Sequence, residues 1–292
     1  MLKQTILMTG ATSFIGTHLL AKLVNEGYRV IALKRPESGP TFISDMVKWV
    51  DITSIDSTPG MLNDIYSIIH IATDYGRTGS SLVEQYICNV VLPLKLLELM
   101  SEYDIKRFVS TDSFFGKFEK DYAYMRTYIA SKRHFVDLCK IYASEHPQIS
   151  IQNLRLEHVY GEKDKLNKLI PFIINKLKNN ETIDCTLAMQ KRDFIYINDV
   201  VSAYLKILNN DFSSGYFEFE VGTGTAFTLK TMFETLKLKM NSTSQINYGS
   251  ITMREDEIME SVADTSALNR LGWSAKYSLN DGVDSMLGIA RK

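Results

Sequence analysis

Short blocks of consecutive apolar residues alternate along this chain with longer stretches in which leucine, valine and alanine recur every three or four positions. The first block, Ile6-Leu7-Met8, runs into Thr9-Gly10. Residues 18–26 then carry the spacing of an amphipathic helix, closed by Gly27, and a second apolar block fills 29–33. Further strands are predicted at 67–72, 107–110 and 149–155, and helices at 85–100 and 124–143. Strands apolar on both faces, alternating with helices, are the pattern of a doubly wound parallel sheet, because crossover helices cover both of its faces. Pro171, the Asn179-Asn180 pair and the segment from 241 onward mark loops. Neither repeats nor low-complexity tracts interrupt the pattern.

The glycines sit where such a fold binds ligands. Gly10-Ala11-Thr12-Ser13-Phe14-Ile15-Gly16 lies between a strand and a helix. There, backbone N–H groups and the helix dipole can hold a pyrophosphate. The plainer reading is a βαβ turn that needs glycine only for its geometry. The second strand ends in Leu33-Lys34-Arg35-Pro36, two cations without a carboxylate. An acidic residue there would bind the ribose hydroxyls of NAD. Lys34 and Arg35 instead suit the 2′-phosphate of NADP through charge-assisted hydrogen bonds, unless they form only a solvated basic loop. NADPH is the expected cofactor.

Thr111, Tyr128 and Lys132 are the candidate catalytic group. Tyrosine four residues before lysine on a helix places both on one face, about one turn apart. A phenol ordinarily loses its proton near ~10. A neighbouring ammonium stabilises its anion, which favours proton exchange with a substrate oxygen. Thr111, at the end of a predicted strand, can hydrogen-bond that same oxygen. Ligands in these sheets lie outside the carboxyl ends of the strands, so Thr111 and the Gly10 turn are expected to share one crevice.

Composition narrows the partners. The 292 residues hold 33 Lys and Arg against 34 Asp and Glu, a formal net charge of −1. No charge excess points to nucleic acid or membrane. No apolar run reaches membrane-spanning length, and residues 5–8 are too short for a signal peptide core. Cys88, Cys139 and Cys185 are far apart and odd in number, which favours a reducing, cytoplasmic setting. The five histidines are also scattered, so no metal site is expected.

Segment by segment the chain resembles the sugar-nucleotide branch of the extended short-chain dehydrogenase/reductases. The residues that carry it are the Thr9-Gly10 turn, Ile69-His70-Ile71-Ala72, Ser110-Thr111-Asp112, Tyr128 with Lys132, Arg192-Asp193-Phe194-Ile195 and Val221-Gly222-Thr223-Gly224. Serine at position 13 replaces the middle glycine of that family's fingerprint, and its hydroxyl could bond a phosphate oxygen instead. The resemblance implies an α/β, Rossmann-type doubly wound parallel sheet with a smaller C-terminal α/β substrate region. The cofactor domain would be residues 1–160, with 193–212 returning to it; 161–192 and 213–292 would bind the nucleotide sugar. It also implies cofactor contacts from Gly10, Thr12, Ser13, Phe14, Ile15, Asp51, Ile52, Ala72, Thr73, Asn89 and Lys132. Arg192 and Arg254 would ion-pair with a nucleotide diphosphate.

A narrower resemblance, to 4-ketoreductases of CDP-linked 3,6-dideoxy sugars in O-antigen synthesis, rests on residues 71–76, 110–115, 128–135, 155–161 and 254–259. It implies reduction of the C4 ketone of CDP-4-keto-3,6-dideoxy-D-glucose, with CDP-abequose as product and CDP-paratose, its C4 epimer, as the alternative. Asp112, Ser113, His158 and Lys168 join the expected substrate contacts. Related 4,6-dehydratases carry Thr-Asp-Glu where this chain has Thr111-Asp112-Ser113. Serine cannot act as their base, so elimination is the least favoured of the enzymatic readings. A 4-epimerase would use tightly held NAD, and a redox sensor would bind NADP without the catalytic group that is present here. The helices at 85–100 and 124–143 correspond to those that form a four-helix homodimer interface in many relatives.

Overall fold

The computed structural model describes residues 4–57, 59–77, 79–118 and 123–289. From the N-terminus, β1 (Thr5–Thr9) leads through the glycine turn into α1 (Phe14–Asn25), followed by β2 (Arg29–Lys34) and β3 (Val47–Asp51). β4 (Ile65–His70) precedes α2 (Leu82–Tyr86), a π-helical turn (Ile87–Val91) and α3 (Leu92–Glu102). Next come β5 (Arg107–Ser113), α4 (Arg126–Glu145) and β6 (Ser150–Leu156). β7 (His158–Tyr160), α5 (Leu169–Lys178), β8 (Ile183–Cys185), β9 (Lys191–Arg192), β10 (Phe194–Tyr196) and α6 (Ile197–Leu208) follow. The chain then forms β11 (Gly215–Val221), β12 (Phe227–Thr228), α7 (Leu229–Lys239), β13 (Ile246–Tyr248), β14 (Glu260–Ser261), α8 (Ser266–Arg270) and α9 (Leu279–Met286).

Two compact units result. One is built from Met1–Glu119, Tyr124–Arg155 and Tyr204–Phe219; the other from Lys120–Ala123, Leu156–Ala203 and Glu220–Lys292. The chain thus leaves the first unit at 155 and returns to it over 204–219, where the sequence placed those events at 160 and 193–212.

A seven-stranded sheet in the order β3-β2-β1-β4-β5-β6-β11 organises the first unit. β1 pairs in parallel with both β2 and β4, β2 with β3, and β4 with β5. This is the doubly wound pattern expected from the apolar blocks. Leu7, Ile31, Ile68, Phe108 and Ile151 from the strands bury against Leu96, Leu97, Phe135 and Cys139 from α3 and α4. Burial of these side chains is what holds α4 at the carboxyl end of β5, at about 1.5–3 kcal/mol for each large side chain.

Several local expectations needed correction. The helix predicted at 85–100 is present, running from Leu82 to Glu102, but it contains a π turn, where Asn89 is fully buried. Such turns insert one residue into the helical ladder and re-aim side chains, commonly at functional sites. Pro171 lies inside the first turn of α5 rather than in a loop, a position where its missing N–H costs no intrahelical bond. Beyond 241 the chain also forms β13, β14, α8 and α9.

In the second unit β7 pairs in parallel with β10, β12-β9-β14 forms a three-stranded sheet, and β13 pairs with β8. Two buried carboxylates hold its loops by accepting main-chain N–H groups. Asp193 accepts from Thr223 at 2.8 Å, Gly224 at 2.9 Å and Ala263 at 3.1 Å. Asp199 accepts from Lys276 and Tyr277, both at 2.9 Å. The Val-Gly-Thr-Gly segment therefore acts as a structural anchor. A Cβ at Gly222 would meet Asp193 Oδ2 at 2.4 Å.

Candidate active site

The glycine turn closes on itself so tightly that only backbone fits. Gly10 adopts φ +69°, and a Cβ there would stand 2.6 Å from the Ala72 nitrogen. A Cβ at Gly16 would meet the Gly10 carbonyl oxygen at 2.0 Å. Ser13 caps α1, its hydroxyl accepting from Gly16 N–H at 3.1 Å. A hydroxyl that accepts still has its own proton to donate, so the cap leaves Ser13 able to bond a phosphate oxygen. Thr12, Phe14 and Ile15 are half-buried around the same turn. Glycine at both ends and a capped helix N-terminus fit a dinucleotide pyrophosphate.

Thr9, the residue before that turn, supports it. Its fully buried hydroxyl accepts from Ile71 N–H and Ala72 N–H, both at 3.3 Å, and lies 2.9 Å from His70 Nδ1. With two N–H groups arriving, its own proton goes to Nδ1, which assigns the Nε2–H tautomer to His70. Burial among Phe108 and Phe135 holds the His70 pKa well below its usual value, so the ring stays neutral.

Tyr128 and Lys132 lie one turn apart on α4, 3% and 4% exposed. Lys132 Nζ donates to the Thr111 carbonyl at 2.8 Å. The Tyr128 phenol is within hydrogen-bonding reach of the Ser113 and Thr73 hydroxyls. The Tyr75 ring packs 4.8 Å from the Tyr128 ring, and Phe115 meets it edge-on at 6.4 Å. Burial raises the phenol pKa well above its usual value, with the neighbouring Tyr75 adding to the rise. This corrects the expectation of a phenol acidified by Lys132: desolvation dominates, and Tyr128 stands protonated, as a proton donor must. Burial lowers the Lys132 pKa, with Asp112 opposing that shift. The Thr111 hydroxyl lies 2.5 Å from the Tyr204 phenol oxygen, within hydrogen-bonding distance.

Asn89 organises this cluster. Its Oδ1 accepts from Asp74 N–H at 2.8 Å and from Thr73 Oγ1 at 3.2 Å. Its Nδ2 donates to the Asp74 carbonyl at 2.8 Å and to Ser131 Oγ at 3.0 Å, and Ser131 in turn donates to the Tyr128 carbonyl at 2.8 Å. The Asn89 amide, expected to contact the cofactor, is thus committed to tying the Thr73 loop to the Tyr128 turn of α4. The sequence offered one sign of Ser131, its position three residues after Tyr128, and marked Thr9 only as the residue before the glycine turn; nothing in it singled out Tyr204.

Asp112 also departs from its expected place among the sugar contacts. Alternation along β5 turns it to the face opposite Thr111, where its side chain is 2% exposed. Its Oδ2 accepts from Arg155 Nε at 3.1 Å and from Asn153 Nδ2 at 3.5 Å, and Arg155 forms a two-pronged pair with Glu218 at 2.7 and 3.0 Å. Ser113, on the Thr111 face, stays beside the phenol. At the end of β2 the Lys34 ammonium pairs with Asp51, while the exposed Arg35 reaches Glu37 at 3.1 Å. Ile52 begins the 3-10 turn just after Asp51, and Ala72 and Thr73 follow β4.

The second unit holds the remaining candidates. Arg192 is 6% exposed and donates to Glu257 Oε1 at 2.6 Å. His158 packs edge-on against Phe194, 6.0 Å between ring centres, with Nδ1 3.7 Å from Glu157 Oε2. Burial lowers its pKa. The Glu157 oxygens lie 2.9 and 2.8 Å from Ser261 Oγ. Lys168 occupies the N-cap position of α5 with no side-chain capping bond, and Arg254 is exposed three residues before Glu257. Among the described residues no cluster of His, Cys, Asp and Glu could hold a metal ion, and no helix is long and apolar enough to cross a membrane.

The chain is similar to known proteins along nearly its whole length. The chain is 59% identical over 286 residues to CDP-abequose synthase of Salmonella muenchen, covering 98% of both chains. It is 40% identical over 301 residues to CDP-abequose synthase of Salmonella typhimurium, again with 98% of each covered. The crystal structure of UDP-glucose 4-epimerase from Thermotoga maritima with UDP-glucose superposes with a TM-score of 0.84 at 22% identity, over 98% of both chains, a likeness of fold. The profile of the NAD dependent epimerase/dehydratase family matches residues 6–222, and with the glycine turn, Tyr128 and Lys132 in place the chain belongs to that family.

Proposed function

We propose that this protein is an NADPH-dependent 4-ketoreductase that converts CDP-4-keto-3,6-dideoxy-D-glucose to CDP-abequose, a precursor for O-antigen synthesis. The 59% identity to CDP-abequose synthase over 98% of both chains carries the substrate assignment. The protonated phenol of Tyr128 beside Ser113 supports reduction over elimination, because serine has no carboxylate to remove a proton from carbon.

Gly10, Thr12, Ser13, Phe14 and Ile15 hold the pyrophosphate of the nicotinamide cofactor, Asp51 and Ile52 border its adenine, and Ala72, Thr73 and Lys132 lie along its nicotinamide ribose. Arg35 binds the 2′-phosphate, joined by Lys34 on release from Asp51. When bound, the nicotinamide supplies the hydride that reduces C4. Tyr128 donates its proton to the carbonyl oxygen as negative charge develops there, and Thr111 hydrogen-bonds the same oxygen. Lys132 holds the end of β5 and places positive charge near the phenolate that Tyr128 becomes. Ser113 and His158 contact the sugar nucleotide, with Lys168, and Arg192 and Arg254 bind its diphosphate; Glu257 must then yield Arg192.

The active form is a homodimer. Val83, Ile87 and Val91 are 66%, 51% and 36% exposed at successive four-residue steps, and Ile141 on α4 is 53% exposed. An apolar stripe of this kind on helices otherwise packed on the sheet suits a second copy.

The test is NADPH oxidation by purified protein supplied with CDP-4-keto-3,6-dideoxy-D-glucose, with the product C4 configuration read by NMR. An axial hydroxyl supports the abequose assignment. An equatorial one makes the protein a CDP-paratose synthase, and no turnover defeats the substrate reading.

A further inference from the structure

Tyr204 has no solvent-exposed surface and takes no part in the steps above, yet its hydroxyl lies 2.5 Å from Thr111 Oγ1. Both residues belong to the first unit, Tyr204 on α6 and Thr111 on β5. Burial raises the Tyr204 pKa far above neutrality, so the phenol keeps its proton. Among the described residues the only hydrogen bond of that hydroxyl is the one to Thr111.

A threonine hydroxyl has one proton to donate and two lone pairs to accept with. Thr111 can serve a substrate oxygen only if that proton is not spent elsewhere. Tyr204, whose hydroxyl makes no other hydrogen bond among the described residues, sends its proton to Thr111 Oγ1, and the Thr111 proton is thereby turned away from α6. The Lys132 ammonium fixes the same residue from its main-chain side, through the Thr111 carbonyl at 2.8 Å. The side chain is thus constrained through its hydroxyl and the backbone through its carbonyl. Hydrogen bonds in such a chain polarise one another in a low-dielectric interior, so a donor behind Thr111 makes Thr111 the better donor.

We propose that Tyr204 is a positioning residue for ketone reduction: it donates to Thr111 Oγ1 and so commits the Thr111 proton to the C4 carbonyl oxygen. The inference rests on the ketoreductase reading but not on the base or on the configuration of the product. It gives a tyrosine buried behind the site a defined place in the chemistry, through Thr111 rather than by contact with the sugar.

The experiment is a double-mutant cycle on the full-length enzyme, with Tyr204→Phe, Thr111→Val and the pair, measured with CDP-4-keto-3,6-dideoxy-D-glucose at saturating NADPH. Tyr204→Phe keeps the ring and removes one oxygen. Its kcat is expected to fall ~10-fold, the worth of one oriented hydrogen bond, with KM and NADPH affinity changed less than about 2-fold. In the Thr111→Val background the same change is expected to cost less than about 2-fold, since no hydroxyl remains to orient. Thr111→Ser retains a hydroxyl and is expected to restore most of the sensitivity to Tyr204→Phe, which guards against a fold damaged by valine. Unchanged kcat in Tyr204→Phe, or an equal loss in both backgrounds, overturns the proposal and leaves Tyr204 a packing residue. A wild-type enzyme that reduces no CDP-linked keto sugar overturns the ketoreductase reading itself, an outcome distinct from a wild-type enzyme that turns over and a Tyr204→Phe variant that matches it.

Discussion

The Lys132 ammonium donates to the main-chain carbonyl of Thr111 at 2.8 Å. This single bond ties the Tyr128–Lys132 turn of α4 to the end of β5, the two elements that carry the proposed proton donor and its hydrogen-bonding partner. Lys132 is buried, and the Asp112 carboxylate on the opposite face of β5 opposes the loss of its charge. Burial pulls the Lys132 pKa down, and a carboxylate itself fixed by Arg155 partly offsets that pull.

Replacing Tyr128 with phenylalanine is expected to lower kcat by about 10²–10⁴, the usual contribution of a positioned acid. NADPH affinity should change less than about 2-fold, measured by quenching of nucleotide fluorescence. The raised phenol pKa also fixes the sign of the pH response. An acid catalyst works while protonated, so kcat/KM for reduction should show no tyrosine break below pH ~10. A break near neutrality would mean that the phenol is acidified after all.

Arg35→Ala should weaken NADPH binding by about 10–100-fold, the cost of a lost charge-assisted contact, and leave NADH binding nearly unchanged. Arg35 is free to move because its partner Glu37 is equally exposed on the same loop. Equal losses for both cofactors, seen by titration calorimetry, would reject the 2′-phosphate assignment.

Asn89→Ala removes a buried amide that serves Asp74, Thr73 and Ser131 at once. Unsatisfied buried partners cost about 1–3 kcal/mol each. A loss of about 2–4 kcal/mol in urea unfolding is expected, because some of these groups will rebond. Asn89→Asp keeps the acceptors but not the donor, and should also destabilise the fold.

His70 is neutral in the folded chain, its pKa held well below the usual value by burial. The unfolded chain takes up a proton near pH ~6.5 while the folded one does not. The stabilisation is therefore complete above that pH and is lost as pH falls below it, by up to about 1.4 kcal/mol per pH unit. Thermal unfolding between pH 7 and 5 should show this slope, and His70→Gln should flatten it.

Ile87→Glu puts a charge in the exposed stripe of the π turn. Analytical ultracentrifugation should find the wild-type protein dimeric and this variant monomeric at micromolar concentration. A monomeric wild type would dismiss the dimer.

The apolar blocks, the glycine turn and the Tyr128–Lys132 spacing were legible in the sequence because each depends on near neighbours. Strand alternation, a left-handed backbone at Gly10 and the one-turn step on α4 are local geometry, and a short segment specifies them. The helix at 85–100 was legible too, but not the π turn inside it, where Asn89 bonds to Thr73 and Asp74 of a separate loop. Asp112 could be read as facing substrate from its place beside Thr111. Its commitment to Arg155 depended on β6 lying next to β5, which its own segment does not encode.

What the sequence determined by itself is therefore the alternation of strands and helices in the first unit, the glycine turn after β1 and the one-turn step from Tyr128 to Lys132. Tertiary structure decided the state of those groups. Burial left Tyr128 protonated against the expected influence of Lys132, and packing of α6 brought Tyr204 to Thr111 from 93 residues away. Desolvation and long-range hydrogen bonding depend on what surrounds an atom in space, and a one-dimensional pattern carries no measure of that.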